Sequence, residues 1–180
     1  MTAYESTEVP VERSQGEIRR LMLRFGATNF TFGEGSLDGE IWAQVQFVQR
    51  SQQVRMLVPL KEPDRQVARA KAQRARTRTV EQILESMVEQ EAKRIWRVLF
   101  HTLKARMVAV DEGVETFEEA FLAHLVDPAS GRTLWEQVKG FVESGALKLD
   151  GPGLSIGQPA LGSGAQVFGD DEIVDAEVVG

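Results

Sequence analysis

The sequence predicts an α+β fold: an N-terminal helix, a three-stranded antiparallel sheet, a long backing helix and two short C-terminal helices. Three observations carry this. Residues 41–48 alternate apolar and polar side chains, the period of a half-buried strand. From Val80 to about Gly113, apolar residues recur at helical spacing. Four Ser/Thr-x-x-Glu/Gln boxes precede apolar runs, each able to satisfy two free amides at a helix start.

The first box is Ser14-Gln15-Gly16-Glu17, followed by an apolar stripe of Ile18, Leu21, Met22 and Phe25. Gly26 can take the left-handed conformation that ends a helix. A short strand then carries Phe30 and Phe32, and Gly33, Gly35 and Asp38-Gly39 read as a turn. In the second strand Ile41, Ala43, Val45 and Phe47 share one face, and Trp42, Gln44, Gln46 and Val48 the other. Ser51-Gln52-Gln53 reads as a hairpin connection. Val54, Met56, Val58 and Leu60 form the inward face of a third strand, with Arg55 and Leu57 outward. Pro59 cannot donate to a ladder and belongs at a strand end or sheet edge.

Residues 61–78 hold seven Lys/Arg and two acids with no apolar period, so they read as an exposed basic loop. Thr79-Val80-Glu81-Gln82 then caps the long helix. Thr116-Phe117-Glu118-Glu119 caps a helix that places Phe117, Ala120, Phe121, His124 and Leu125 on one face. Thr133-Leu134-Trp135-Glu136 caps the last, with Val138 and Val142 inward. The expected organisation is an N-terminal arm at 1–12, an α+β domain at 13–150, and a Gly/Pro-rich acidic tail at 151–180. The tail lacks the apolar density to offset its ordering entropy and is expected to be disordered.

At 180 residues and 42% hydrophobic content the chain suits one domain plus a tail. No run of about 18 apolar residues occurs, so no membrane span is expected. The opening residues lack the apolar core of a secretory signal. Absence of cysteine removes disulfides and thiol chemistry and fits a reducing cytoplasm. Charge is uneven: residues 1–60 carry a net −1, 61–106 a net +6, and 107–180 a net −11. Such asymmetry points to an anionic partner for the middle segment.

Catalytic motifs are weak. Gly33-Glu34-Gly35 lacks the third glycine and following helix of a dinucleotide loop, and no P-loop occurs. Asp64 with Glu91 and Lys93 echoes the acidic set of metal-dependent nucleases, but that chemistry needs both carboxylates on adjacent rigid strands. His101 and His124 have no third ligand at recognisable spacing, so neither a metal nor a cofactor is expected. Glu118-Glu119 and Asp170-Asp171 are adjacent pairs, a solvated helix turn and a tail rather than catalytic pairs. The strongest signal is the basic segment, with Arg69, Lys71, Arg74, Arg76 and Arg78, beside a polar strand face with Trp42, Gln44, Gln46, Arg50 and Arg55. Cations that neutralise phosphates and a ring that stacks on bases are the mixture used by single-strand binders.

Helix, three antiparallel strands and long helix, in that order, is similar to double-stranded RNA-binding domains. Strand-strand-strand-helix is shared with phage single-strand annealing proteins. Val9-Pro10-Val11-Glu12-Arg13-Ser14 with Glu17-Ile18, and Thr116-Phe117-Glu118-Glu119-Ala120-Phe121-Leu122-Ala123-His124-Leu125, resemble an uncharacterised family of phage and prophage proteins. That resemblance implies a phage setting among DNA-metabolism genes and the cytoplasm of a bacterial host. The acidic end, Asp170 to Glu177, is similar in character to the partner-recruiting tails of single-strand DNA-binding proteins. The expectation is a non-enzymatic phage protein that binds nucleic acid, single-stranded DNA favoured, and assists replication or recombination. The alternative is an interaction module for a host or phage protein, with the tail a further protein-binding element and self-association left open.

Overall fold

The computed structural model describes residues 3–37, 40–75 and 77–144. It has the expected α+β architecture. Helix α1 spans Val11–Arg24, strands β1 (Thr28–Leu37), β2 (Glu40–Gln49) and β3 (Gln52–Pro59) follow, then helices α2 (Arg65–Ala75) and α3 (Val80–Asp111). Helix α4 (Phe117–Phe121) runs into a 3-10 turn at Leu122–His124, and α5 spans Leu134–Glu143. The sheet is antiparallel in the order β1-β2-β3. Residues up to Gly140 form one compact unit and a second begins at Phe141. The tail at 151–180, the end of the domain at 145–150, the turn at Asp38-Gly39 and Arg76 lie outside the described residues.

The core lies between the inner face of the sheet and the helices α1 and α3. Ala43, Val45 and Phe47 of β2 and Val54 and Met56 of β3 are buried there against Ile95, Trp96, Leu99 and Leu103 of α3. Ile18, Leu21 and Met22 of α1 close one flank, and Phe117 and Phe121 of α4 close the end. Phe121 meets Phe47 edge-on at 5.8 Å and Phe32 meets Trp96 edge-on at 5.9 Å. Each such side chain taken fully out of water contributes about 1.5–3 kcal/mol. The indole N–H of Trp96 would be costly to bury unpaired; it donates to Glu34 Oε1 at 2.8 Å.

Three of the four capping boxes form as expected. Thr79 with Gln82 and Thr116 with Glu119 exchange both hydrogen bonds. Thr133 and Glu136 also bond reciprocally, at 2.7 and 3.2 Å. Ser14 does not cap. Pro10, with φ already at −59°, stands at the N-cap position, so the helix begins ahead of the serine. Ser14 is fully buried, and its Oγ has no hydrogen-bond partner among the described residues.

Four further expectations change. The basic segment is not a loop: Arg65–Ala75 is helical. Asp64 Oδ1 accepts from the amides of Gln66 and Val67, and alanine, arginine, lysine and glutamine are strong helix formers. The helix shows no apolar period because it packs on α3 with a small residue, the buried Ala68. β1 likewise continues through Gly33 and Gly35, which pair with Gln44 and Trp42 of β2. Backbone ladder bonds need no side chain, so the long partner strand carries the glycines along. The β2–β3 turn is Arg50–Ser51, closed by the Gln49–Gln52 pair, with φ of 50° and 63°. These are the left-handed angles of a two-residue hairpin turn without its usual Asn or Gly. Val138 and Val142, expected inward, are both exposed, and Ile41 at the sheet end is exposed too. Pro59 ends β3 on a sheet edge, and Gly26 has φ +85° after α1, as expected.

Candidate nucleic-acid interface

Helix α2 displays Arg65, Arg69, Lys71 and Arg74, all exposed, and contains no acidic residue. Among the described residues none of the four is ion-paired. Arg78, also exposed, follows the helix, and Lys71 reaches a groove on α3 beside Ser86, Met87 and Gln90. Helix α2, packed on α3, therefore presents a run of cations that form no ion pair among the described residues. On α3, Glu91 binds Arg94 at 2.7 Å and Glu89 binds Lys93 at 2.6 Å, while Glu5 lines the same groove as Lys71. The Arg94 guanidinium holds the Glu91 carboxyl below the usual carboxylate range, against the opposing effect of its burial.

The second surface is the outer face of the sheet. Trp42 stands between Gly35 and Pro59, Gln44 between Gly33 and Leu57, and Gln46 between Thr31 and Arg55. Trp42, Gln44, Leu57, Gly33 and Gly35 line an open groove of about 410 Å³. A methyl group added at either glycine would meet nothing within 4 Å, so the floor beside the ring is bare backbone. Trp42 is half-buried, and its Nε1 is buried with no hydrogen-bond partner among the described residues. Gln44 Nε2 donates to Gln46 Oε1 at 3.3 Å.

The sequence-selected residues fall into separate groups. Trp42, Gln44 and Gln46 share one face, and Arg69, Lys71 and Arg74 share one helix. The two groups lie in different layers, since α2 packs on α3 and α3 covers the opposite face of the sheet. Arg55 shares the outer face but is committed to Glu136 at 2.8 Å. Burial pushes the Glu136 carboxyl up, yet the Thr133 amide and Arg55 together hold it below the usual range. Arg50 sits in the β2–β3 turn, at the far end of the sheet from Trp42, with its guanidinium 6.0 Å from the Phe117 ring.

Sequence reading passed over Arg20 and Arg24 of α1 and Lys104 of α3. These line an open groove of about 530 Å³ between the two helices. The only advance signal was the four-residue spacing of the arginines, which puts them on one face of α1. His124 is half-buried, and that burial, with Arg106 nearby, lowers its pKa, as for a packed residue. Among the described residues no three His, Asp or Glu stand close enough to hold a metal ion, and no helix is long and apolar enough to cross a membrane. Comparison with protein-family models, with curated proteins and with solved structures finds no match to this chain.

Proposed function

We propose that this chain is a non-enzymatic nucleic-acid-binding protein, with single-stranded DNA its favoured ligand, assisting phage replication or recombination. The observation that carries the reading is α2: four exposed cations on one helix, with no acid in it and no ion pair to them among the described residues. Unpaired like charges repel one another, and a phosphate backbone relieves that repulsion while releasing its own condensed counterions. Trp42, with Gln44 and Gln46 beside it, supplies a ring and amide donors in the other layer, suited to sequence-tolerant stacking. The phage setting rests on the resemblance of residues 9–14 with Glu17-Ile18, and of residues 116–125.

Fluorescence-anisotropy titrations with single-stranded DNA, duplex DNA and RNA at two salt concentrations test this. Replacing Arg69, Lys71 and Arg74 with glutamine is expected to weaken binding to all sequences alike. At about 0.7 of log–log salt slope per contact, the slope should flatten by about 2. Wild-type protein that binds no single strand at about 0.15 M salt, where the Debye length is about 8 Å, would sink the reading.

A second reading, a protein-interaction module, is favoured by α5, whose Trp135 and Val138 stand exposed. Under it, nucleic-acid binding vanishes near physiological salt and Trp135→Ala abolishes partner capture instead.

A further inference from the structure

The groove between α1 and α3 lies in the same helical layer as α2 but is built differently. Arg20 and Arg24, one turn apart on α1, face Lys104 of α3, and all three are exposed. Its floor is buried Leu21 and half-buried Phe100. One acid, Glu17, lines the groove, but its carboxylate is already shared between Arg97 at 2.5 Å and Arg13 at 3.2 Å. Arg97 is in turn spread over the Phe100 ring, 4.6 Å from its centroid. The three remaining cations have no ion-pair partner among the described residues. Like charges one turn apart destabilise a helix, so this arrangement costs the free protein something that a bound anion would return. Two arginine forks and one ammonium converging on an open, apolar-floored groove match phosphate oxygens, which arginine binds two at a time.

We propose that this groove is a phosphate-binding site that takes the sugar–phosphate backbone of the bound strand, with Arg20, Arg24 and Lys104 as its contacts. The assignment rests on the nucleic-acid reading above and extends it. Arg97 and Lys104 recur two turns apart on α3, on the stripe that also carries Ser86 and Gln90 beside α2. From Ser86 to Lys104 that stripe runs about 27 Å at 1.5 Å per residue. The N-terminal segment crosses it, with Gln90 Nε2 donating to the Glu5 and Thr7 carbonyls and Tyr4 stacked on His101. A strand held in the groove therefore meets that segment before it reaches α2.

The test titrates labelled oligothymidylate into full-length wild type, the α2 variant R69Q/K71Q/R74Q, the groove variant R20Q/R24Q/K104Q, and the single variants R24Q and R19Q. Arg19 is a matched control: exposed and on α1, but over Phe30 at 5.9 Å rather than in the groove. Thermal melts establish that each variant folds. The groove variant is expected to lose about tenfold or more in affinity and about 2 in salt slope, with R19Q within about twofold of wild type. Adenosine monophosphate is titrated in parallel. If it binds wild type but not the groove variant, and the two hold the strand equally, the site takes free nucleotide phosphate and the backbone assignment falls. Loss in the α2 variant with the groove variant unchanged overturns the inference and leaves the function standing. Equal losses in R19Q and R24Q would reduce the effect to net charge, and a wild type that binds no strand removes both readings.

Discussion

The two faces of the sheet are made by the same three strands and differ in what they leave unfinished. On the inner face every large side chain meets another, and the one buried indole N–H there, on Trp96, has Glu34 as its acceptor. On the outer face Trp42 buries its N–H with no acceptor among the described residues, over glycines that leave open space. At one end of that face α5 approaches: Val48 and Gln53 line a groove of about 580 Å³ with Leu134 and Gln137, and Arg55 is pinned by Glu136. The Trp42 end is open. Alternation along a strand sorts side chains between faces, but only the neighbouring layers determine which face is saturated and which retains capacity for a ligand.

The sharpest way to break this comparison is Trp96→Ala. It should cost about 3–5 kcal/mol in urea unfolding, as truncation of a buried aromatic does. A loss under about 1 kcal/mol would place the ring outside the core. Glu34→Ala comes next, leaving the Trp96 N–H buried and unpaired, and should cost about 1–3 kcal/mol. No measurable change would mean that water replaces the carboxylate. On the outer face Trp42→Phe is expected to stay within about 1 kcal/mol, because the area lost is offset by removing an unpaired donor. Its companion, Trp42→Ala, should lose about 1–3 kcal/mol of single-strand binding while the salt slope holds. A slope that changes with Trp42 would tie ring and cations into one site.

The smallest effect is with pH. Burial lowers the pKa of His124, helped by Arg106, and burial with the charges of Arg97 and Lys104 lowers that of His101. Folded pKa values below the unfolded one mean that the unfolded chain takes up protons first. Stability from both is complete above about pH 6.5 and declines as the pH falls through that value. The urea midpoint should therefore drop between pH 7 and 5.5, and His124→Gln should flatten the slope. The depressed carboxylates Glu17 and Glu91 act lower, with stability lost below the ordinary carboxylate range near 4.5.

Legibility in the sequence followed the strength of the local signal. The long helix was plain, because Thr79 and Gln82 mark its start and large apolar residues mark its buried side. The inner faces of β2 and β3 were plain for the same reason. Helix α2 was hidden because alanine fills the contact: Ala68 packs without producing an apolar period. Gly33 and Gly35 read as a turn because their strand character comes wholly from β2. Arg50 and Ser51 gave no hint of a primed turn, and Ser14 imitated a cap because Pro10 had already begun the helix. Of the candidate site, Arg69, Lys71 and Arg74 were legible as a run of charge and Trp42, Gln44 and Gln46 as one face. The groove of Arg20, Arg24 and Lys104 was not, since it exists only once α1 lies along α3.

The two edges of the sheet will exchange hydrogen at different rates. Leu125 bridges Val54, and the Val126 amide donates to the Gln53 carbonyl at 2.8 Å, so the outer edge of β3 is partly closed. β1 has no strand beyond it among the described residues. Its alternate amides point away from β2 and exchange with deuterium by local fluctuation, while their neighbours wait for the β1–β2 ladder to open. A ligand strand that added itself to that edge would slow the first set and leave the second unchanged, which gives edge pairing a signature distinct from binding on either face.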